Sequence, residues 1–502
     1  MMTSGRARVR PITISIASAA VAISLAAACA LKPPARPAFV PGLSPEAVRT
    51  RLAAADALAA RGCYLCLRDA SEAYQSLVPL APSADDPLPI YTKALENDLM
   101  LAIREIELRL PDSGARDRAD ALRLQVTAGA YDAYFSALDF LSDSASDRMS
   151  TVQDFQRLGA ARQELLTQFE SLWPATPVAA YYYLALGRGS SYLREAKQDP
   201  QTIAAAHPAQ MALQYAALQS AQPLRPGATD EILAIEPRFA ELRLFRGLRA
   251  IGGGNPEGAR RELMAARELL PASLAVLSAL AAVEFVYARH ATALSLFEEV
   301  LSRGPDPQAQ LGKAEALSYL KRHEQAIAEL DDLLTDPSRN PGDKYYWRAW
   351  NKLQLQDAQP AYDDATAALR FMRSADAYRL AGIATFNLQR LPEARGYFES
   401  ALKMYAADCD SLQYLGQLDA ADRNWPAAAA RFNDAAACFD MSITRMSAEV
   451  LKKEAENSGG LLDEQIAAIK SDIDARRMLY AQSVQNAAIA SKNAPATPAS
   501  GR

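Results

Sequence analysis

Few residues in this chain are placed to do chemistry. Cys63-Tyr64-Leu65-Cys66 holds two thiols at the spacing of a redox dithiol, half a zinc site or a haem attachment. Leu67 stands where haem attachment requires histidine, which removes that reading. The chain has only three histidines, His207, His290 and His323, and no second CxxC, so no zinc or other metal is expected. A redox dithiol wants a βαβ setting, whereas residues 46–80 read as a helix pair. A structural disulfide at a helix–helix turn is the favoured reading, with free thiols and redox work as the alternatives.

Other enzymatic signatures are missing. There is no Gly-rich phosphate loop, no GxSxG and no HExxH. Three scattered histidines are a poor basis for a nucleophilic site, and acids on amphipathic helices usually form a solvated face. The expectation is no catalytic residue, no cofactor and no enzyme; an unrecognised site within 83–236 is the residual alternative.

The remaining thiol bears on location. The first ten residues carry Arg6, Arg8 and Arg10 and no acid, and an apolar run ends in Ala26-Ala27-Ala28-Cys29. A basic start, a modest apolar stretch and small residues before a cut make a secretory signal over 1–28. A spanning helix is disfavoured by the polar breaks at Thr13, Ser15, Ser18 and Ser24. Leu25-Ala26-Ala27-Ala28-Cys29 resembles the bacterial lipobox, with Ala26 where an aliphatic residue usually stands. That resemblance implies acylation (palmitate-type) of Cys29. If Cys29 carries lipid, then Cys63, Cys66, Cys409 and Cys438 form the even set an oxidising compartment favours. A Pro-rich stretch over 29–45 reads as a semi-rigid tether. By resemblance to lipoprotein sorting, Ala30 implies the outer membrane, with the chain facing the periplasm.

Composition sets further bounds. Half of the 502 residues are hydrophobic, enough for a large core, and the net charge is only −5. No Lys/Arg block follows the signal, so nucleic acid is not an expected partner. Ala-, Leu-, Glu- and Arg-rich segments without period-two runs point to helix and no sheet. Residues 46–236 read as irregular helices, among them 89–110, 116–141, 153–171, 177–194 and 206–220.

The second half is periodic. Ala259, Ala293, Ala326, Ala361, Ala394 and Ala428 recur every 33–35 residues. A small residue (Gly247, Ala281, Ala314, Ala349, Gly382 or Gly416) stands 12 positions before each. Leu263, Phe297, Leu330, Phe398 and Phe432 follow four positions after theirs, while the fourth unit has Ala365 there. Small residues at both places let two antiparallel helices approach closely, and the bulky residue plugs the gap. The pattern, seen fully in LFRGLRAIGGGNPEGARRELMAARELLP, resembles the tetratricopeptide repeat. The resemblance implies an all-α solenoid of stacked antiparallel helix hairpins, a right-handed superhelix, with six repeats over 237–440. Residues 441–488 read as two capping helices and 489–502 as a disordered tail.

In this register Cys409 opens the first helix of the sixth unit and Cys438 lies near the end of its second, so the two are expected to pair. A bridge closing such a loop adds roughly 3 kcal/mol in the chain-entropy model. The family's groove positions fall on Phe285, Tyr319, Tyr346, Trp350, Arg379, Phe386, Gln413 and Gln417, either as a partner-binding groove or as packing between hairpins. Trp347 and Tyr345 read as core. The lysine and asparagine of the family's carboxylate clamp are missing, and so are the Glu-Ser signatures of the solenoid lytic transglycosylases. The expectation is therefore a non-catalytic, membrane-tethered scaffold for protein or peptide partners in a pilus, secretion or outer-membrane assembly. An accessory role in periplasmic solute transport is the alternative.

Overall fold

The computed structural model describes residues 44–84, 86–127, 129–145, 152–188, 193, 198–207, 210–220, 225–335, 341–457 and 459–494. The signal segment, Cys29 and most of the tether lie outside these residues. Among the described residues every regular element is helical.

The first layer is irregular. It comprises α1 (Pro45–Arg61), α2 (Tyr64–Leu77), a 3₁₀ turn (Val78–Ser83), α3 (Leu88–Leu108), α4 (Ala115–Arg123), α5 (Asp132–Ala145), α6 (Val152–Leu172) and α7 (Pro177–Gly187). Three short helices complete it: α8 (Pro200–Ala205), α9 (Met211–Ser220) and α10 (Ala228–Ile235). The turn between α1 and α2 needs Gly62, whose φ is +63° and where a Cβ would lie 2.5 Å from the Ala212 backbone nitrogen. Three expected helices differ. The one expected over 177–194 ends at Gly187, where Arg188 takes ψ 127° and leaves the helix. The single helix 116–141 is instead α4 and α5, interrupted where Gly129 takes φ +78°. The helix expected over 206–220 begins at Met211.

Six hairpins follow: α11 (Ala240–Gly252) with α12 (Pro256–Leu269), α13 (Leu274–Val286) with α14 (His290–Leu301), and α15 (Pro307–Tyr319) with α16 (His323–Leu333). The others are α17 (Gly342–Gln354) with α18 (Ala358–Leu369), α19 (Ala375–Asn387) with α20 (Leu391–Met404), and α21 (Cys409–Ala421) with α22 (Trp425–Glu456). The six periodic alanines are all fully buried, as are Ala281, Ala314 and Ala349 on the facing helices. A Cβ at Gly382 would sit 2.7 Å from the Phe398 ring, and one at Gly416 would sit 2.8 Å from Phe432. The small residues thus set the approach distance between helices, and the rings fill what remains. Each hairpin turns through one left-handed residue: Gly254, Ala288, Lys321, Gln356, Gln389 or Arg423, with φ between 59° and 71°. These six positions keep the spacing of the alanines, though only the first is glycine.

Successive first helices from α11 to α19 pack directly on one another, and successive second helices do so less. That difference puts the first helices on the inner side of the stack.

The irregular layer is not a separate body. One continuous core runs from Ala55 to Ala309, through the layer and into the second and third hairpins. Ser273 Oγ donates to the Leu108 carbonyl at 2.7 Å, and Arg109 pairs with Asp306 at 2.5 Å. The Arg104 guanidinium is wholly buried at this junction, 4.6 Å from the ring centres of both Tyr181 and Tyr215. It also donates to the Gly62 carbonyl at 3.1 Å and lies 3.9 Å from the buried carboxylate of Glu241.

The carboxy-terminal end departs most from expectation. The helix expected to end near residue 440 continues unbroken, so α22 is 32 residues long. Met441-Ser442-Ile443-Thr444 offers no glycine or proline to stop it. After a turn at Gly460 the chain returns as α23 (Asp463–Asn493), antiparallel to α22. The tail assigned to 489–502 is therefore helical through Asn493, because Ala487 and Ala490 bury against Ala428 and Phe432. Residues 495–502 lie outside the described residues.

Candidate functional site

The sulfurs of Cys63 and Cys66 lie at disulfide distance, as do those of Cys409 and Cys438. Cys63 caps α2, its sulfur accepting the Cys66 backbone N–H at 3.0 Å. Glu236 completes a group of three metal-type ligands within 4.8 Å of one another. The bonded sulfurs offer no thiolate, however, and Arg61 and Arg238 both pair with the Glu236 carboxylate, at 3.1 and 3.3 Å. The arrangement suits a braced α1–α2 turn, tied to the loop before α11 through the Arg61–Glu236 pair, better than a cation site.

The groove positions divide into two groups. The first four join a row of aromatic rings along the inner side. Phe285, at the end of α13, lies 5.4 Å from Tyr319 at the end of α15, and His290 stacks on Tyr319 at 4.6 Å. Tyr319 meets Trp347 at 5.7 Å, and Trp347 meets Tyr346 and Trp350 at 5.7 and 5.9 Å. His323 ends the row, 5.5 Å from Trp350. Trp350 lies partly in the interface of the fourth hairpin, packed against the cluster of Ala349, Ala365, Leu380 and Ala381, where Ala365 stands at the position of the bulky plug of other units. Tyr319 is 51% exposed.

The last four positions are committed elsewhere. Arg379 is held by Asp376 at 2.5 Å and Asp408 at 3.1 Å. Phe386 packs on Tyr414 within the fifth and sixth hairpins. Gln413 is buried: it donates to Gln482 at 3.0 Å and accepts from Ser483 at 2.7 Å, both on α23. Gln417 is half-buried one turn later. At the sixth-hairpin end these positions are covered by the chain itself, through Gln482 and Ser483 of α23. Tyr345 lies beside the Arg348 guanidinium.

The terminal hairpin reaches further. Near its tip Gln465 donates to the Val286 carbonyl at 2.9 Å, and Glu464 faces Arg289 at 3.5 Å. Leu461 and Leu462 pack against the main core. This strap therefore ties the sixth hairpin to the second.

Two residues beside the aromatic row escape a reading of the sequence. Glu315 lies one turn before Tyr319 and lines a cavity of about 370 Å³ with Phe285, Phe297, Leu311 and Gly312. Burial raises its carboxyl pKa to about 6, against an opposing hydrogen bond from Trp347, and the charge of Asp343 pushes the same way as burial. His290 is held below its ordinary value by burial. Its Nδ1 is buried with no hydrogen-bond partner among the described residues. Glu315 directly follows the small position Ala314, which places it inward, but an acid in an amphipathic helix ordinarily reads as solvated. Trp347, read as core, packs against Ala314 and Leu330 with one side and joins the ring row with the other.

Stacked 34-residue hairpins with small residues at both close-approach positions define the fold as an all-α solenoid of tetratricopeptide type. No family model matches the chain, and no curated protein matches it. Among solved structures it is similar to PilF of Pseudomonas aeruginosa, at 19% identity over 38% of this chain and 88% of that one, with a TM-score of 0.36. It is also similar to a tetratricopeptide repeat protein from Parabacteroides merdae (17% identity, 49% and 98% covered, TM-score 0.36). A third is yeast Tom70 (15% identity, 75% and 92% covered, TM-score 0.35).

Proposed function

We propose that this protein is an exported, lipid-anchored scaffold that holds protein or peptide partners in a cell-envelope assembly of the pilus, secretion or outer-membrane type, without catalysis. The observation that carries the reading is the aromatic row from Phe285 to Trp350 on the inner side of the stack. Tyrosine and tryptophan give large contact area for little side-chain entropy and are enriched where binding energy concentrates. Successive hairpins hold these rings at fixed spacing, as a linear ligand requires. Acylation at Cys29 and the Pro-rich stretch after it would keep this surface near a membrane.

The test is affinity capture from gently solubilised native membranes, comparing wild type with a Tyr319→Ala/Trp350→Ala variant whose helicity is checked by circular dichroism. One envelope protein captured by wild type and lost by the folded variant supports the row as the working surface. Equal capture by both removes it. In parallel, Cys29→Ser should move the protein from the membrane to the soluble fraction; unchanged membrane association removes the lipid anchor from the reading.

A second reading, an accessory of solute transport, draws on a cavity of about 360 Å³ between α1, α3 and α9, lined by Asp56, Lys93 and Glu96 over Leu67 and Met100. Its size and mixed charge suit a small polar solute. A small molecule that co-purifies with the protein and is lost in Lys93→Met would favour it.

A further inference from the structure

We infer that the cavity at Glu315 takes a cationic side chain of the bound partner, a lysine or arginine beside an apolar residue. The inference rests on the scaffold reading above and deepens it. Three observations point the same way. First, the walls of the cavity are apolar, from Phe285, Val286, Phe297 and Leu311, and the absence of a Cβ at Gly312 lets the Phe297 ring pack against its backbone. Second, Glu315 is the acid in that wall, and no lysine or arginine pairs with it among the described residues. Its recorded partners are the Trp347 side chain, which donates to it, and Asp343, whose charge is of the same sign. Nearby cations are engaged elsewhere: Lys313 pairs with Glu329 at 2.6 Å, and Arg289 with Glu284 at 3.1 Å.

Third, the rings beside Glu315 are those a cation prefers. Tyr319 and Trp347 lie 5.7 Å apart, and Tyr319 is half-exposed. The rings that line the cavity itself are Phe285 and Phe297, and an ammonium or guanidinium set over an aromatic face is attracted by its quadrupole, by about 0.5–2 kcal/mol according to exposure. A half-buried carboxylate without a counter-ion is unfavourable, and an incoming cation relieves it through a charge-assisted hydrogen bond. The apolar walls then receive the neighbouring side chain. The polarity is the reverse of a clamp for a C-terminal carboxylate. An anionic segment is excluded by Glu315 and Asp343 together.

The test uses the full chain and three pentapeptides, acetylated and amidated so that only the central side chain is charged. Each has two phenylalanines flanking a central lysine, norleucine or glutamate. Binding is followed by tryptophan fluorescence and calorimetry. The expected result is that the lysine peptide binds at least tenfold more tightly than the norleucine peptide and the glutamate peptide binds most weakly. Glu315→Gln should abolish the lysine preference while leaving the norleucine peptide unchanged, and Tyr319→Ala should weaken both. Equal affinity for lysine and norleucine in wild type overturns the cation site but leaves the groove intact. A lysine preference that survives Glu315→Gln also overturns it. No binding of any peptide at millimolar concentration overturns both the cation site and the aromatic row.

Discussion

The side-chain amide of Gln465 donates to the backbone carbonyl of Val286 at 2.9 Å, joining residues 179 positions apart in the chain. With the Glu464–Arg289 pair and the Gln413–Ser483 bond, it lays α23 between the second and sixth hairpins. A 31-residue helix spans about 46 Å, long enough to do so without strain.

Truncation after Glu456 therefore removes the cover from Gln413, Leu412 and Phe432. The expected outcome, read by hydrogen exchange, is faster exchange of the amides of α21 and the first half of α22. The amides of α11–α14 should be nearly unchanged apart from the turn at Val286. Uniform behaviour along the stack would show that the strap is not the terminal support.

Arg104 and Glu241 provide a second test. Both are fully buried, and among the described residues the guanidinium is the only cation paired with that carboxylate. Removing one member of a buried pair typically costs about 3–5 kcal/mol because the other charge is left uncompensated. Arg104→Met should destabilise the protein by that amount in chemical denaturation. Arg104→Met/Glu241→Gln should recover part of the loss, and strictly additive effects would show that the two are not coupled.

The left-handed turns carry a gain waiting to be made. Lys321 and Gln356 take φ of 61° and 63°, where a Cβ crowds the backbone and glycine does not. Lys321→Gly and Gln356→Gly should each raise stability by about 0.5–1 kcal/mol. A loss instead would mean that the side chains make contacts outweighing the backbone strain.

Glu315 supplies a pH-dependent prediction. Its folded pKa, raised to about 6, lies above the ordinary value of 4.5, so the native state binds its proton more tightly than the unfolded chain. The penalty for keeping it ionised is complete above pH 6 and disappears as the pH falls below 4.5. Glu315→Gln should accordingly stabilise the protein by about 1 kcal/mol at pH 7.5, after allowance for partial solvent screening, and by almost nothing at pH 4. A difference independent of pH would remove the carboxylate as its cause. Because this variant is expected to be more stable, a loss of peptide binding in it is not a loss of fold.

Most of the repeat architecture was legible because it rests on residue size at fixed intervals. Ala394 facing Gly382 with Phe398 between them is a local arrangement that any 34-residue window repeats. The strap was not legible. Its continuity depends on what is lacking at Met441–Thr444, and its destination depends on contacts between residues some 180 apart. Register assigns Gln413 to the first helix of its unit but says nothing of what covers it, and in the structure Ser483 occupies its carbonyl. Glu315 was missed because an acid beside alanines has the same one-dimensional signature whether it faces water or a ring of aromatics.

A stack in which each hairpin touches only its neighbours is mechanically soft, since small rotations at every joint add along its length. The tie from Val286 to Gln465 changes that, much as a chord stiffens an arch. Tension applied between the second and sixth hairpins is borne by a single helix before any joint can open. The protein should resist stretching up to a definite yield force, set by a few side-chain contacts at Val286 and Arg289, and then lengthen abruptly.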